Sequence, residues 1–137
     1  MKTQLIEIET GHADRVVNLT PHCRRFAVAA SGGGDGLLNL FVPHATAGLA
    51  ILEVGAHSDE DLLATLAELL PADNRWRHAH GSAGHGRSHV LPAFIAPFAS
   101  VPVIGGVMAL GTWQSIVLVD VNVDNPVRNV RLSFLPG

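Results

Sequence analysis

The sequence contains few charged residues and one cysteine. The first shortage bears on how much of the surface is covered, and the second on the redox compartment. Only 15% of its 137 residues are Asp, Glu, Lys or Arg, while 47% are apolar. A free-standing domain with a wholly wet surface usually carries more charge, so the composition predicts that other subunits cover part of the surface. The single cysteine, Cys23, cannot form an internal disulfide, and this favours a reducing compartment.

The chain also lacks the features of membrane, secreted and nucleic-acid-binding proteins. Its apolar runs fall short of the roughly 20 residues that span a bilayer. Residues 1–9 lack the apolar core of a signal peptide. A net charge of −3 provides no basic surface for nucleic acid or for an anionic membrane. We therefore expect a cytoplasmic protein with no nucleic-acid partner and no membrane partner.

The order of strand-like and helix-like segments is typical of α+β proteins. The length predicts a single domain, residues 1–137. Strands are predicted at 3–9, 14–19, 36–42, 46–53, 100–104, 107–110, 113–123 and 127–135, and helices at 21–30 and 58–70. Residues 71–88 read as a long polar loop and 89–98 as a short helix or irregular segment. Strands in pairs with hairpin-type connections favour a largely antiparallel β-sandwich with two or three helices.

Histidine is unusually frequent, with 8 residues against 9 Lys and Arg together. His44 interrupts an apolar stretch. It is either a core histidine that hydrogen-bonds to a neighbouring group or a residue of a functional site. In an extended chain His44 and Thr46 share a face, and Gly48 lets another group approach the backbone closely. Four more histidines cluster in or beside the polar loop: His78, His80, His85 and His89. Such tracts bind metal, and they also occur as ordinary polar loops.

No short catalytic motif accompanies these histidines. The sequence contains neither Gly-x-Ser-x-Gly nor His-Glu-x-x-His, and Cys23 is predicted to pack as a small apolar residue of an amphipathic helix. A zinc-like ion commonly takes three protein ligands and keeps one position for water or substrate. His44, His78 and His89 provide three imidazoles from separate segments, and His80 and His85 compete for the same role.

Four motifs, spread over nearly the whole chain, occur in the order seen in a known family. They are Pro43-His44-Ala45-Thr46-Ala47-Gly48 followed by Glu53, then Ser88-His89, Val101-Pro102-Val103, and Leu110-Gly111-Thr112-Trp113-Gln114-Ser115-Ile116. This set resembles the YjbQ-like family of small bacterial and archaeal proteins, now often labelled secondary thiamine-phosphate synthases. The resemblance implies an α+β sandwich that assembles as a homotrimer, with a pocket near the subunit contacts where histidines hold a metal or an anion.

The resemblance also implies roles for individual residues. The expected site comprises the metal ligands His44, His78 and His89, the catalytic residues Glu53, Thr46 and Gln114, and the pocket residues Ser88 and Trp113. The expected ion is a divalent metal of zinc type, with magnesium as the alternative. A carboxylate such as Glu53 serves as an acid or base, or orients an imidazole.

Two classes of function remain open at this point. The family label implies an enzyme that joins a pyrimidine diphosphate to a thiazole phosphate and releases pyrophosphate. Three histidines suit a metal-dependent hydrolase of a small phosphoester better, because diphosphates usually bind magnesium through oxygen ligands. Either enzyme takes a small phosphorylated molecule as its partner. The alternative is a non-catalytic trimeric module that binds a metal or a small anion.

Overall fold

The computed structural model describes residues 1–137 as two antiparallel β-sheets that enclose a core, with two α-helices and two short 3-10 helices. In chain order the elements are β1 (Lys2–Glu9), β2 (Arg15–Asn18), α1 (Thr20–Ser31), β3 (Gly36–Phe41), β4 (Ala47–Leu52), α2 (Ser58–Leu69), the 3-10 helices His85–His89 and Leu91–Ala93, β5 (Phe98–Ile104), β6 (Val107–Met108), β7 (Ser115–Asp120) and β8 (Val127–Pro136). The predicted α+β class with antiparallel sheets is confirmed. None of the helices combines the length and apolarity needed to cross a membrane.

Strands that are neighbours in the sequence rarely share a sheet. The larger sheet has the order β1-β8-β3-β5-β6, and the smaller has the order β2-β7-β4. Only β5 and β6 form a hairpin, through a turn at Gly105-Gly106, a dipeptide typical of such turns. The expected hairpin pairing is wrong for the other strands. Pairing across long separations buries the apolar face of each strand between the sheets, and this outweighs proximity along the chain.

The main core lies between the two sheets and α1. In β3 the side chains of Leu38 and Leu40 point into this core, while Leu37 and Phe41 point to solvent. Cys23 of α1 is fully buried there, and burial raises the pKa of its thiol to about 12. Cys23 therefore packs as a neutral, apolar side chain, as predicted.

Strand β7 is covered on both faces. Ile116 and Leu118 belong to the main core, whereas Val117 and Val119 pack in a second cluster with Leu66 of α2. A nearly continuous apolar run predicts such a strand, and β7 lies in the middle of the smaller sheet as expected. Because both faces are held, the carboxyl end of β7 is a fixed platform for the polar residues that follow it.

The start of α1 is tied to β7 rather than capped as the sequence suggested. A hydroxyl residue followed by proline, as in Thr20-Pro21, predicts that Thr20 caps the helix. Thr20 is, however, the first helical residue, and its N–H donates to Oδ1 of Asn18 at 3.0 Å. The Thr20 hydroxyl instead accepts the N–H of Ile116 at 2.9 Å. The polar groups at this buried helix end are thus satisfied through a contact between distant segments.

Candidate functional site

Four histidine rings meet in the segment between α2 and β5. His78, His80, His85 and His89 each offer a ring nitrogen, and these nitrogens lie within 4.8 Å of one another. The Nε2 atoms of His78 and His80 are 2.6 Å apart, and those of His85 and His89 are 3.1 Å apart. Ligands of a tetrahedral zinc ion, at bonds of about 2.1 Å, stand about 3.4 Å from one another. The four-histidine cluster therefore matches a metal shell in size and in donor chemistry.

A carboxylate orients one ring of the cluster. Oδ2 of Asp124 accepts hydrogen bonds from Nδ1 of His85 at 2.7 Å, from the Ser82 N–H at 3.0 Å and from the Ser82 hydroxyl at 2.9 Å. The Ser82 amide, followed by His85, holds the pKa of Asp124 below its usual range. With its proton on Nδ1, His85 turns the lone pair of Nε2 toward the cluster. This carboxylate–histidine pairing is the arrangement that fixes ligand histidines in metalloproteins.

Gly81 makes room for this pairing. Its backbone has φ of +74°, and a Cβ there would lie 2.6 Å from Oδ2 of Asp124 and 3.0 Å from Nδ1 of His85. A side chain would collide with both groups and would also be strained by the left-handed backbone. Glycine at position 81 is therefore a requirement of the cluster and not merely a flexible loop residue.

Buried polar contacts hold the 3-10 helix that carries His85 and His89. The buried Arg87 donates to both carboxylate oxygens of Asp14 at 2.6 Å and to the carbonyl of Leu70 at 3.2 Å. Ser88 is fully buried and donates its hydroxyl to the carbonyl of His85 at 2.7 Å. One guanidinium nitrogen, Nη2, contacts both carboxylate oxygens, and hydrogen bonds between charged groups are among the strong ones, so these contacts fix the backbone from which the two rings project.

The surroundings of His89 favour its neutral imidazole form. Burial, followed by the neighbouring rings of His78, His85 and His80, lowers the pKa of His89. Like charges in close proximity disfavour protonation, and the unprotonated ring nitrogen is the form that coordinates metal. His89 is thus in its ligating state at neutral pH.

The cluster borders a polar cleft of about 560 Å³, which also reaches His44, Thr46, Asn122 and Asn125. This volume lies in the range of small-molecule sites, although the cleft is wide open to solvent. Arg128 lies at the cleft and is fully buried. Its guanidinium donates to Asp120 at 2.7 and 3.0 Å, so its charge is already balanced by a partner.

His44 lines this cleft without belonging to the four-histidine cluster. Its Nε2 accepts the backbone N–H of Asn129 at 2.9 Å. That N–H is available because β3 pairs with β8 only as far as Phe41 and Arg131, two residues short of Asn129. Burial, and then the charge of Arg128, lower the pKa of His44, with Asp120 acting in the opposite direction.

The predicted ligand set thus differs from the group that the fold assembles. Of His44, His78 and His89, the structure brings together His78 and His89, and it adds His80 and His85, which the sequence left as competitors. A ligand role for His44 stays a prediction. Thr46 lines the cleft as well, so the shared location of positions 44 and 46 is observed, although both lie in the connection between β3 and β4 and not in a strand.

The remaining predicted site residues lie away from the cleft. Glu53 is exposed just beyond β4, and the side chain of Trp113 is 73% exposed. Gln114 borders a separate cavity of about 330 Å³, and its Oε1 accepts the N–H of Gly111 at 2.8 Å. The space that Gly48 leaves is filled by the backbone of Ile95, so its close approach is made by protein and not by ligand.

Sequence reasoning missed Asp124 entirely. It is 39 residues from His85, and no local pattern connects the two positions. The closeness of His85 and His89 was not readable from their spacing either, because they lie in a 3-10 helix, where positions three apart and not four apart share a side.

Known proteins resemble this chain over nearly its whole length, in sequence and in fold. A family model described as "UPF0047 protein YjbQ-like" matches residues 4–137. The "UPF0047 protein Rv2556c" of Mycobacterium tuberculosis H37Rv is 60% identical over 137 residues, which cover 100% of both chains. The solved structure of a hypothetical protein, APE1520, from Aeropyrum pernix K1 has a TM-score of 0.88 and 30% identity, and covers 100% of both chains. A YbjQ-like protein of unknown function from Sulfolobus solfataricus P2 shares the fold, with a TM-score of 0.90 at 24% identity over 99% of this chain and 97% of that one. The chain therefore belongs to the YjbQ-like UPF0047 family.

Proposed function

We propose that the chain binds one divalent transition-metal ion at His78, His80, His85 and His89. The observation that carries the proposal is the convergence of four ring nitrogens within 4.8 Å, with one ring oriented by Asp124. Imidazole nitrogen suits zinc and its neighbours in the periodic table, whereas magnesium prefers oxygen ligands. A zinc-type ion is accordingly favoured over the magnesium alternative.

We further propose that the metal acts on a small phosphorylated molecule bound in the adjoining cleft. A divalent ion supplies Lewis-acid polarisation of a phosphoryl oxygen. Hydrolysis of a small phosphoester fits the cleft better than the coupling of a pyrimidine diphosphate to a thiazole phosphate. The coupling needs basic donors for its diphosphate leaving group, and the one arginine at the cleft, Arg128, is already paired with Asp120.

The number of histidines favours a second candidate, a non-catalytic metal-binding module. Four imidazoles fill a tetrahedral shell, and closed shells are typical of structural zinc sites, while catalytic sites keep one position open. The two candidates differ in coordination. X-ray absorption on the zinc-loaded protein counts imidazole ligands by the multiple scattering of their rings; three imidazoles and one oxygen donor are expected for an enzyme, and four imidazoles for the closed module.

Metal binding itself is tested with variants of the cluster. Zinc affinity of the purified protein is measured by competition with a chromophoric chelator, for the wild type, for His85→Ala and for His89→Ala. Both substitutions are expected to lower the affinity by at least about a hundredfold, since each removes a ligand. His57→Asn is the matched control, because His57 is exposed, lies outside the cluster and has a φ of +70° that asparagine tolerates. Unchanged affinity in both cluster variants would exclude this site.

Activity is tested on the same proteins. Release of phosphate from a panel of small phosphomonoesters, and formation of thiamine phosphate from its two precursors, are compared with a His89→Ala blank. Hydrolysis above the blank supports the phosphoesterase, and coupling above the blank supports the synthase. A zinc-loaded wild type that matches the blank in both assays supports the non-catalytic module.

We also propose that the chain assembles as a homotrimer, as the resemblance to the family implies. The outer face of the larger sheet supports assembly, because it exposes Leu37, Phe41 and Phe98 on adjacent strands. Light scattering is expected to give three times the mass of one chain, and a monomer at micromolar concentration would contradict the proposal.

A further inference from the structure

We propose that His44 is not a metal ligand but a fixed N–H donor, acting with the Thr46 hydroxyl, to an oxyanion that binds in the cleft beside the four-histidine cluster. The inference rests on the proposed metal site for the charge that attracts the oxyanion. The position of the proton on the His44 ring follows from the hydrogen bond between His44 and Asn129 and does not depend on the metal.

The contact between His44 and the sheet determines which nitrogen carries the proton. Nε2 accepts the N–H of Asn129 at 2.9 Å, so Nε2 holds a lone pair and bears no hydrogen. In a neutral imidazole the proton must then be on Nδ1. Coordination through Nδ1 would require that both nitrogens be unprotonated, which is an imidazolate. The Asn129 contact therefore makes His44 a donor on its free side and unsuited to bind a metal there.

Neither proposed donor is used within the protein, and both belong to residues that line the cleft. His44 Nδ1 and Thr46 Oγ1 make no hydrogen bond inside the chain, and both residues line the cleft. Across the chain, Asn39 Oδ1 is the one sealed side-chain polar atom that lacks a partner. The two free donors are therefore not sealed from solvent, and the residues that carry them line the cleft. Thr46 is largely buried, which limits the number of waters that its hydroxyl meets.

The charges around the cleft identify the class of ligand. The pair of Arg128 and Asp120 is neutral overall, and Asp124 contributes one negative charge. A divalent ion held by neutral histidines outweighs that charge and leaves one net positive charge. Two donors beside a positive centre are the arrangement that binds a negatively charged oxygen. The ligand is then a phosphate ester or a carboxylate, which share this oxyanion chemistry.

The proton position is measured directly by long-range proton–nitrogen correlation spectra of protein labelled with nitrogen-15 in its histidines. The His44 signals are assigned by their loss in His44→Gln. The expected spectrum shows a protonated Nδ1 and an unprotonated Nε2 in the metal-free protein, and neither nitrogen moves to a metal-bound shift when one equivalent of zinc is added. A proton on Nε2, or a zinc-induced shift of Nδ1, would overturn the inference.

The same titration separates this inference from the proposed metal site. Zinc is expected to shift the nitrogen signals of the four cluster histidines. If those signals do not move, the metal site fails, while the proton position of His44 is still read from the metal-free spectrum. If they move and His44 Nδ1 moves with them, the metal site stands and the donor role is lost.

The donor role is measured with two probes, inorganic phosphate and acetate, by calorimetry on zinc-loaded protein. In His44→Asn the side-chain amide retains a donor near the position of Nδ1, whereas in His44→Gln the amide lies near Nε2 and keeps only the contact to Asn129. Hydrogen bonds to charged groups are worth about 1.5–3 kcal/mol, so His44→Gln is expected to bind the preferred probe about ten- to a hundredfold more weakly. His44→Asn is expected to stay within about threefold of the wild type.

The calorimetry identifies the class of ligand and tests the donor role of His44. Tighter binding of phosphate assigns a phosphate ester, and tighter binding of acetate assigns a carboxylate. Equal weakening in the Asn and Gln variants, no weakening in either, or binding of neither probe to the wild type would overturn the donor role. Unchanged thermal unfolding of both variants confirms that the comparison is between folded proteins.

Discussion

Asp124 provides the sharpest test of the four-histidine cluster, because it touches the ligand shell without belonging to it. Replacing it with asparagine keeps the size of the side chain and removes its charge. The carboxylate now accepts three hydrogen bonds through one oxygen, from Nδ1 of His85 and from the N–H and hydroxyl of Ser82. Asparagine still offers an oxygen, but a neutral one, and so it holds the His85 proton on Nδ1 less firmly.

The expected magnitude follows from this position behind the ligand. Loss of a carboxylate that orients a ligand histidine typically costs about ten- to a hundredfold in metal affinity. Removal of His85 itself should cost more, since it deletes a ligand outright. We therefore expect Asp124→Asn to bind zinc about ten- to a hundredfold more weakly than the wild type, and more tightly than His85→Ala.

The assay is chelator competition at neutral pH with a charge-matched control. Asp73→Asn removes one carboxylate from the same loop, where Asp73 pairs with Arg75 and does not touch the cluster. The control is expected to bind zinc like the wild type. Zinc affinity of Asp124→Asn within a factor of about two of the wild type would refute the orienting role. An equal loss in the Asp73→Asn control would show that only net charge matters.

Three further predictions concern the support of the site. Gly81→Ala is expected to weaken zinc binding about ten- to a hundredfold by displacing the orienting carboxylate, while Gly55→Ala, which has the same left-handed backbone but open space around it, leaves zinc affinity unchanged. Asp120→Ala leaves a buried arginine without its partner and is expected to lower the free energy of unfolding by about 3–5 kcal/mol in urea denaturation, whereas the exposed Asp73→Ala changes it little. The pKa of His44 is lowered in the fold. Protonation therefore favours the unfolded chain once the pH falls below about 6.5. We expect the free energy of unfolding of the metal-free wild type to fall more between neutral and acidic pH than that of His44→Asn. Parallel pH dependence of the two proteins would contradict this last expectation.

Much of the secondary structure is readable from local pattern. The apolar run at β7 predicted a strand covered on both faces, and the leucine-rich stretch from Ser58 predicted α2 to within one residue of its end at Leu69. Partner choice was not readable in this way. The larger sheet joins β1 to β8 across almost the entire chain, and such pairing depends on burial of the combined faces and not on any local signal.

The candidate site was likewise readable from the sequence only in part. The sequence drew attention to His78, His80, His85 and His89 through their number and closeness. The resemblance to the family then favoured His44, His78 and His89 as ligands and left His80 and His85 as competitors. A single backbone contact, from Asn129 on β8, now distinguishes the ring of His44 from the cluster.

The sequence by itself determined the α+β class, the family and the presence of a histidine-rich segment, because these depend on composition, periodicity and ordered motifs within the chain. Tertiary structure alone decided which histidines converge, that Asp124 orients one of them, and that Nε2 of His44 accepts a hydrogen bond from the backbone of Asn129. The physical reason is the separation along the chain between the residues that interact. Periodicity reflects contacts between near neighbours, whereas the direction of a ring nitrogen depends on hydrogen-bond partners 39 and 85 residues away.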